Sequence, residues 1–339
     1  MESLTINFLE ELIKPGPRLP LISEWFLKQV WTKENFIKSS STEYLTDGEK
    51  KTHSLEELIA ASAPQFYDEL ASASLETPRL TDRLAADTAV VIFDGASLRE
   101  IPLFLQKAEE SGYRILESSF SFAALPSTTT AFVARHLIGK EVTPKSLPQR
   151  KELRDLRFRV YYFDDVLTSH QVLSEEEERL LLWSAFPDFT YQDSGARFIS
   201  HFAAIQKMLD SAWKNTVMQI PRDRRIIITS DHGYIFFGAG FESTRSNEDC
   251  KWLDQGRFKI FSETENIPAS LEHIDLQVFP DKRLAMVRGR LKDRPRGPAA
   301  NRVYRHGGLS LMEMLVPWLV LEKKGPLGER LVKEIESET

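Results

Sequence analysis

The chain has 339 residues, a formal net charge of −6, 42% hydrophobic residues and 28% charged residues. This composition is typical of a globular protein and excludes a disordered or fibrous one, while the length allows one large α/β unit with an appendage, or two domains. The net negative charge argues against nucleic-acid binding driven by the charge of the whole protein. It is still compatible with a local basic groove.

The residues that bear on the cellular compartment predict a cytoplasmic protein. The single cysteine, Cys250, cannot form an internal disulfide, and no positively charged segment followed by an apolar run opens the chain. The longest apolar stretches, such as residues 226–228 and 315–321, are far shorter than the roughly 20 residues that cross a bilayer.

Residues 1–80 are predicted to form a helical N-terminal extension, because apolar residues recur at helical spacing. Those positions are Leu4, Phe8, Leu9, Leu12, Leu55, Leu58 and Ile59. Prolines at positions 15, 17 and 20 end the first helix. The stretch 38–53 is rich in Ser, Thr, Lys and Glu, and we expect it to be an exposed loop.

From residue 88 onward, apolar runs predict strands that alternate with helices. The runs lie at 89–93, 113–116, 158–163 and 225–229, and helical patterns lie at 98–111 and 197–213. This alternation predicts an α/β fold with a largely parallel central sheet flanked by helices.

The last third of the chain is predicted to contain an insertion and the closing strand. Residues 236–300 are rich in Gly, Asn, Asp and Arg, and we expect an insertion with short strands at 258–261 and 285–287. The apolar series 309–321 predicts a helical turn and a final strand that Pro317 could interrupt. Residues 325–339 are predicted to form a charged tail.

Ionisable residues follow three of the predicted strands, where open α/β sheets bind their ligands. They are Asp94, the pair Asp164 and Asp165, and the pair Asp231 and His232. Clustered carboxylates repel one another unless a cation lies between them, and oxygen ligands with imidazole suit Zn²⁺ or Mn²⁺. The pattern therefore predicts a metal site, although each Asp alone is also typical of a turn or helix cap.

A hydroxyl cluster at 127–130 precedes a predicted helix at 131–137. Such a cluster favours an N-cap. The same position also favours a phosphate site, because free N–H groups point outward there and a metal can turn a hydroxyl into a nucleophile.

Four sequence blocks, in this order, resemble a PglZ domain of the alkaline phosphatase superfamily. They are VIFDG at 91–95, LPSTT at 125–129, TSDHGY at 229–234 and HGGLSL at 306–311, the last followed by Val316 and Pro317. The resemblance covers about residues 88–322. It implies an alkaline-phosphatase-like catalytic domain at 81–324, two divalent metal ions, most plausibly Zn²⁺ with Mn²⁺ or Mg²⁺ as alternatives, and a Thr nucleophile that is transiently phosphorylated.

The resemblance also implies roles for particular residues. Thr129 fits the nucleophile position best, with Thr128 as the alternative. One metal would be held by the nucleophile with Asp94, Asp231 and His232. The other would be held by Asp165 or Asp164, with His170 and His306.

One spacing departs from the superfamily pattern. Three residues usually separate the Asp and the His of the second metal, whereas four separate Asp165 from His170. Arg135, Arg302 and Arg305 are candidates for bidentate contact with the substrate phosphate.

The function that the resemblance implies is a metal-dependent phosphodiesterase acting on a nucleotide or nucleic acid. PglZ proteins are encoded in phage-exclusion (BREX) systems, which implies a role in bacterial phage defence with protein partners from that system. A phosphomonoesterase is the nearest enzymatic rival. A non-catalytic module that binds nucleotide or partner proteins is the other alternative, and the altered Asp–His spacing favours it.

Overall fold

The structure of this chain is a computed structural model that describes residues 6–14, 16–169, 179–191, 198–221, 223–237, 243–244, 253, 256–268, 275–292 and 304–323. Its helices are α1 Ile6–Ile13, α2 Leu19–Trp25, α3 Lys33–Lys38, α4 Ser41–Ser62, α5 Phe66–Glu76, α6 Ile101–Glu110, α7 Thr129–Val133, α8 Lys151–Asp155, α9 Asp188–Tyr191, α10 Phe198–Asn215 and α11 Leu311–Met314. Its strands are β1 Thr88–Phe93, β2 Tyr113–Phe122, β3 Phe158–Phe163, β4 Arg179–Ser184, β5 Arg225–Thr229, β6 Ile235–Phe236, β7 Ser243–Thr244, β8 Phe258–Ile260, β9 Leu276–Phe279, β10 Leu284–Val287, β11 Leu291–Lys292, β12 Tyr304–Arg305 and β13 Leu315–Lys323.

A six-stranded sheet with the order β2-β13-β5-β1-β4-β3 forms the centre of the molecule. Strands β5, β1, β4 and β3 pair in parallel, whereas β13 is antiparallel to both of its neighbours, β2 and β5. The α/β fold with a mostly parallel sheet, predicted from the alternating pattern, is therefore confirmed, and the sheet is mixed because of β13.

Both faces of the central strand β1 are covered. Val91 and Phe93 pack into one hydrophobic cluster with the N-terminal helices and α10, while Val90 and Ile92 pack into a second cluster on the opposite face. Successive side chains of a strand point to opposite faces, so a strand buried on both sides reads as a continuous apolar run. This is why the strand was recognisable from its sequence.

Residues before β1 form the predicted N-terminal helices, but the exposed loop predicted at 38–53 was wrong. Helix α4 runs through most of that stretch and begins at a capping box in which Ser40 and Glu43 bind each other's backbone N–H. Its buried positions include Tyr44, Gly48 and Thr52, which recur every four residues. The helical period was hidden because several residues on the buried face are polar or lack a side chain.

Strand β13 runs without interruption through Pro317, so the predicted break there was wrong. Pro317 pairs with β2, and the pairing with β5 begins one residue later, at Trp318. Proline is tolerated at a strand position where its missing N–H is not needed.

The strands predicted at 258–261 and 285–287 correspond to β8 and β10, which form a small antiparallel sheet with β9. The tail at 325–339 lies outside the described residues.

Within the described ranges, no helix combines the length and the apolar character that a membrane span requires.

The sheet topology determines where functional side chains can meet. The carboxyl ends of β5, β1, β4 and β3 lie at one edge because these strands are parallel. The antiparallel β13 begins at that same edge, so the segment just before β13 also reaches it. Residues that are distant in sequence therefore converge there.

Candidate metal centre

Asp94 follows β1 directly and is held in place from two sides. Its Oδ2 accepts a hydrogen bond of 2.9 Å from Nε1 of Trp183, the buried tryptophan of the neighbouring strand β4. Its Oδ1 lies 3.5 Å from the hydroxyl of Thr129 and 3.8 Å from Nε2 of His232. The carboxylate is thus fixed with one oxygen bound and the other facing the site.

Asp231 and His232 follow β5, in the turn after its carboxyl end. Oδ1 of Asp231 accepts a hydrogen bond of 3.0 Å from the backbone N–H of Gly95. Nδ1 of His232 lies 3.0 Å from the carbonyl of Gly233, to which it must donate because a carbonyl only accepts. This bond leaves the lone pair on Nε2 of His232, which faces Asp94, Asp231 and Thr129.

Glycine is required at position 233 in this turn because no larger residue fits there. A Cβ atom at this position would lie 2.1 Å from the backbone oxygen of Met312, and the N–H of Gly233 donates to the carbonyl of Glu313 at 2.9 Å. The turn after β5 is therefore bound to helix α11, which precedes β13.

Thr129 and Thr128 occupy different positions although they are adjacent. The hydroxyl of Thr129 lies 3.2 Å from Nε2 of His232. The hydroxyl of Thr128 accepts from the N–H of Ala131 and caps helix α7. Thr129 is the hydroxyl that the structure brings to the carboxylates, and Thr128 has the N-cap role that its position also favoured.

His306 reaches the site from the segment before α11. Its Nδ1 lies 3.2 Å from the carbonyl of Ser127, and its ring stacks on that of His232 at 4.0 Å between centroids. The hydroxyl of Ser127 donates to the carbonyl of Gly308 and accepts from the N–H of Gly307. Ser127 thus binds the Thr129 loop to the His306 loop.

Asp188 is a site residue that the sequence reasoning missed. It starts α9, four residues after β4, and its backbone N–H donates to the carbonyl of Asp94 at 3.0 Å. Among the described residues, two groups of side chains could each hold a metal ion, namely Asp94, Asp231 and His232, and Asp188, His232 and His306. The apolar run of β4, followed by Pro187 and Asp188, was the signal that could have pointed to it.

Asp164 and Asp165 are not brought to this cluster. They follow β3, the outermost strand, and β4 lies between β3 and β1. Neighbouring strands lie about 4.8 Å apart, so the end of β3 is roughly 10 Å from the end of β1. Both side chains are exposed; Asp165 accepts from the N–H groups of Leu167 and Thr168. His170, predicted as their partner, lies outside the described residues.

The three arginines that were predicted as candidates for contact with the substrate phosphate have different positions in the chain. The guanidinium of Arg135 donates to the carbonyls of Leu75 and Thr77, which holds it against the end of helix α5. Arg305 lies in β12, directly before His306. Arg302 lies outside the described residues.

The buried charges of the cluster create an electrostatic problem that a cation would solve. Burial, together with the nearby carboxylates of Asp231 and Asp188, raises the pKa of Asp94 well above its ordinary value. Burial also raises the pKa of Asp188, and burial with the adjacent His232 lowers the pKa of His306 well below its usual range. The two carboxyl groups therefore favour their uncharged forms unless a cation lies among them, and His306 favours the neutral imidazole, the form that binds a metal ion.

The donor atoms fit a divalent metal ion. Oδ2 of Asp231 is fully buried and has no hydrogen-bond partner among the described residues, and a buried carboxylate oxygen without a partner is costly. His232 and His306 each engage Nδ1 with a backbone carbonyl, which leaves Nε2 as a free ligand atom. Carboxylate oxygens with imidazole nitrogens are the ligand set of Zn²⁺ and Mn²⁺ sites.

Comparison with solved structures gives a weak match. Murine ectonucleotide pyrophosphatase/phosphodiesterase 5 is 12% identical, with a TM-score of 0.42 over 69% of this chain and 87% of that chain. An inactive variant of the same murine protein, in complex with AMP, is 11% identical with a TM-score of 0.41 over the same shares. Similarity at this level assigns neither a family nor an activity to this chain. No protein-family model and no curated protein matches it.

Proposed function

We propose that this chain is a metal-dependent phosphoester hydrolase of the alkaline phosphatase superfamily, with a PglZ-like catalytic domain at 81–324 and a phosphodiester as its substrate. The observation that carries the proposal is the position of the Thr129 hydroxyl, 3.2 Å from His232 and 3.5 Å from Asp94, inside a buried group of possible metal ligands. The four PglZ-like sequence blocks supply Asp94, Thr129, His232 and His306 to this one place, which supports the resemblance independently.

The ligands divide naturally between two ions. Asp94, Asp231 and His232, with the Thr129 oxygen, would hold the first, and Asp188 with His306 would hold the second. We propose Zn²⁺ for this ligand set, with Mn²⁺ or Mg²⁺ as alternatives. Ions held there supply positive charge that stabilises the phosphate oxygens and the Thr129 oxygen in the transition state.

The residues of the chain perform the group transfer. The Thr129 oxygen attacks phosphorus, the bond from phosphorus to the leaving oxygen breaks, and phosphothreonine forms. The atoms nearest the hydroxyl, Nε2 of His232 and Oδ1 of Asp94, would be occupied by the first ion, so the hydroxyl proton passes to solvent and the leaving oxygen takes up a proton from solvent. A water molecule then hydrolyses the phosphothreonine, which releases the product and restores the hydroxyl.

The substrate and the biological role rest on the PglZ resemblance. A nucleotide or nucleic-acid phosphodiester is the substrate that we propose, and we propose Arg305, directly before His306 in the chain, as a residue that contacts its phosphate. A role in bacterial phage defence, in a BREX-type system with protein partners, follows from the same resemblance.

Paired substitutions of the two threonines test the proposal. We expect Thr129→Ala to lower turnover of bis-p-nitrophenyl phosphate by about 10³-fold or more, because it removes the nucleophile. Thr128→Ala is the matched control, since it removes only an N-cap hydroxyl, costs about 1 kcal/mol of stability and leaves turnover near that of the wild type. Steady-state kinetics in the presence of Zn²⁺ or Mn²⁺ measures both.

Two results would contradict the mechanism. Unchanged turnover in Thr129→Ala would remove Thr129 as the nucleophile, and a large loss confined to Thr128→Ala would move that role to Thr128. A higher kcat/KM for p-nitrophenyl phosphate than for the diester would make the enzyme a phosphomonoesterase.

A specific observation favours a non-catalytic binding module as the second candidate. In the superfamily pattern three residues separate this Asp from a His, but the fourth residue after Asp188 is Gln192, which lies outside the described residues. A purified protein that binds less than one ion per chain and cleaves neither ester would support this alternative.

A further inference from the structure

A cavity of about 130 Å³ lies apart from the candidate metal centre, between the N-terminal helices and the segment that joins β10 to β11. Helix α4 contributes Glu56, helix α5 contributes Tyr67, and Arg288 and Gly289 close the other side. None of the residues that line the cavity belongs to the metal-ligand groups.

Glu56 and Tyr67, both in the cavity lining, each carry a buried polar atom without a hydrogen-bond partner among the described residues. Glu56 is 3% exposed, and its Oε1 accepts a hydrogen bond of 2.7 Å from the N–H of Leu311, whereas Oε2 has no partner among the described residues. Tyr67 is 1% exposed, and its hydroxyl has no partner either. Each such group costs about 1–3 kcal/mol, so the fold retains an acceptor and a donor in the cavity that it does not use for its own stability.

Gly289 allows the Tyr67 hydroxyl to lie close against the backbone. It has φ +54, a backbone conformation that other residues rarely adopt, and a Cβ atom there would lie 2.7 Å from the Tyr67 oxygen. Any side chain at this position would therefore cover the free hydroxyl.

The size and polarity of the cavity limit what can occupy it. Cavities of roughly 150 Å³ hold one benzene-sized ring, so one small ring fits. A hydrocarbon would leave Glu56 and Tyr67 unsatisfied. The lining carries three carboxyl groups, from Glu56, Glu57 and Asp275, against the two guanidinium groups of Arg288 and Arg290, so it has no excess of positive charge to hold an anion.

We propose that this cavity is a second ligand site, for a small planar heterocycle that presents an N–H donor beside an acceptor atom, as a nucleobase does. The N–H donates to Oε2 of Glu56, and the Tyr67 hydroxyl donates to the acceptor. Burial raises the pKa of Glu56 to about 7, and an N–H donor on the free oxygen favours the ionised carboxylate.

The site is linked to the segment that carries His306. The oxygen of Glu56 that is already bound holds the N–H of Leu311, the first residue of α11. The N–H of Gly289 donates to the carbonyl of Leu309 at 3.1 Å. Two walls of the cavity are therefore hydrogen-bonded to the chain that runs from His306 into α11.

Direct binding of free bases to the full chain tests the proposal. Uracil, cytosine and adenine are the probes, with benzene and inorganic phosphate for comparison, and isothermal titration calorimetry reads the affinity. We expect at least one base to bind, and Tyr67→Phe and Glu56→Gln each to weaken that binding about tenfold, the effect of one hydrogen bond. Glu76→Gln, at an exposed position of α5, is the matched control and leaves the affinity unchanged.

The absence of binding by any base at about 10 mM would overturn the proposal, and so would an affinity that neither Tyr67→Phe nor Glu56→Gln changes. Benzene binding as tightly as the best base, or phosphate displacing the base, would also overturn it. Tyr67→Phe removes a single oxygen and keeps the ring, so the test stands even where Glu56→Gln folds poorly. Because Thr129→Ala keeps this cavity intact, base binding to that variant separates this proposal from the proposed hydrolase activity.

Discussion

His232 has one available ring nitrogen but belongs to both groups of possible metal ligands. Its Nδ1 is bound to the carbonyl of Gly233, so Nε2 alone is available both to the group with Asp94 and Asp231 and to the group with Asp188 and His306. One nitrogen ligates one ion at a time. In the proposed arrangement the first group, with the Thr129 oxygen, would therefore supply more ligands than the second.

This asymmetry predicts two ions of unequal affinity. We expect stepwise chelation to remove the ion at Asp188 and His306 first, because it has fewer protein ligands. Asp188→Asn loses only that ion, whereas Asp231→Asn loses the tightly bound one. Metal analysis of the dialysed proteins measures the stoichiometry. Loss of both ions in Asp188→Asn, or equal affinity at both sites, would contradict this assignment.

The burial of Glu56 predicts a pH-dependent cost to stability. Burial, opposed by the nearby Arg290 and Arg257 and reinforced by Glu313, raises its pKa from 4.5 to about 7. Between those values the folded state binds more protons than the unfolded state, so stability falls as pH rises through that window and stays lower above it.

We expect Glu56→Gln to remove this fall. The variant gains stability relative to the wild type between about pH 5 and about pH 8, by roughly 3 kcal/mol at most. Urea unfolding at both pH values measures it, with Glu76→Gln as the exposed control. The same stability difference at both pH values would show that Glu56 titrates normally.

Helix α4 packs so closely on the preceding segment that one glycine is required. A Cβ at Gly48 would lie 2.2 Å from ring atoms of Trp31, which is fully buried. Alanine is a better helix former than glycine by about 1 kcal/mol, but here the clash outweighs that gain.

We therefore expect Gly48→Ala to destabilise the fold by about 2 kcal/mol. Lys50→Ala is the control, since Lys50 is an exposed position of the same helix. Chemical denaturation measures both variants. A Gly48→Ala protein as stable as the wild type would mean that the Trp31 ring can move aside at little cost.

The elements show which parts of the fold were predictable from sequence. Strands β1 and β5 are continuous apolar runs, and the candidate ligands that follow them were named from that pattern. Strand β4 was not recognised, so the sequence reasoning named Asp164 and Asp165, after β3, and did not consider Asp188, after β4. Sequence reasoning places a residue at a strand end, but the lateral order of the strands depends on contacts between distant segments.

The candidate metal centre joins elements that are far apart in sequence, so an ion bound there would contribute to the stability of the whole molecule. A ligand that binds only the folded state at about a hundred times its dissociation constant adds about 3 kcal/mol. We expect Zn²⁺ to raise the midpoint of thermal unfolding by several degrees and EDTA to reverse the change.

Two variants make that measurement specific. Asp231→Asn should remove most of the Zn²⁺-dependent shift, because it removes a ligand of the more tightly bound ion. Asp164→Asn, at an exposed position after β3, should leave it intact. A shift lost in Asp164→Asn but kept in Asp231→Asn would return the second metal to the strand end first predicted from the sequence.

The position of β13 also has a consequence for the newly made protein. This strand ends at Lys323 but lies inside the sheet, between β2 and β5. While the chain emerges from the ribosome, the sheet therefore lacks an inner strand until synthesis has passed that residue, and His306 has no fixed place. We therefore expect chains that stop before Lys323 to lack the phosphoester cleavage that we propose for the whole protein.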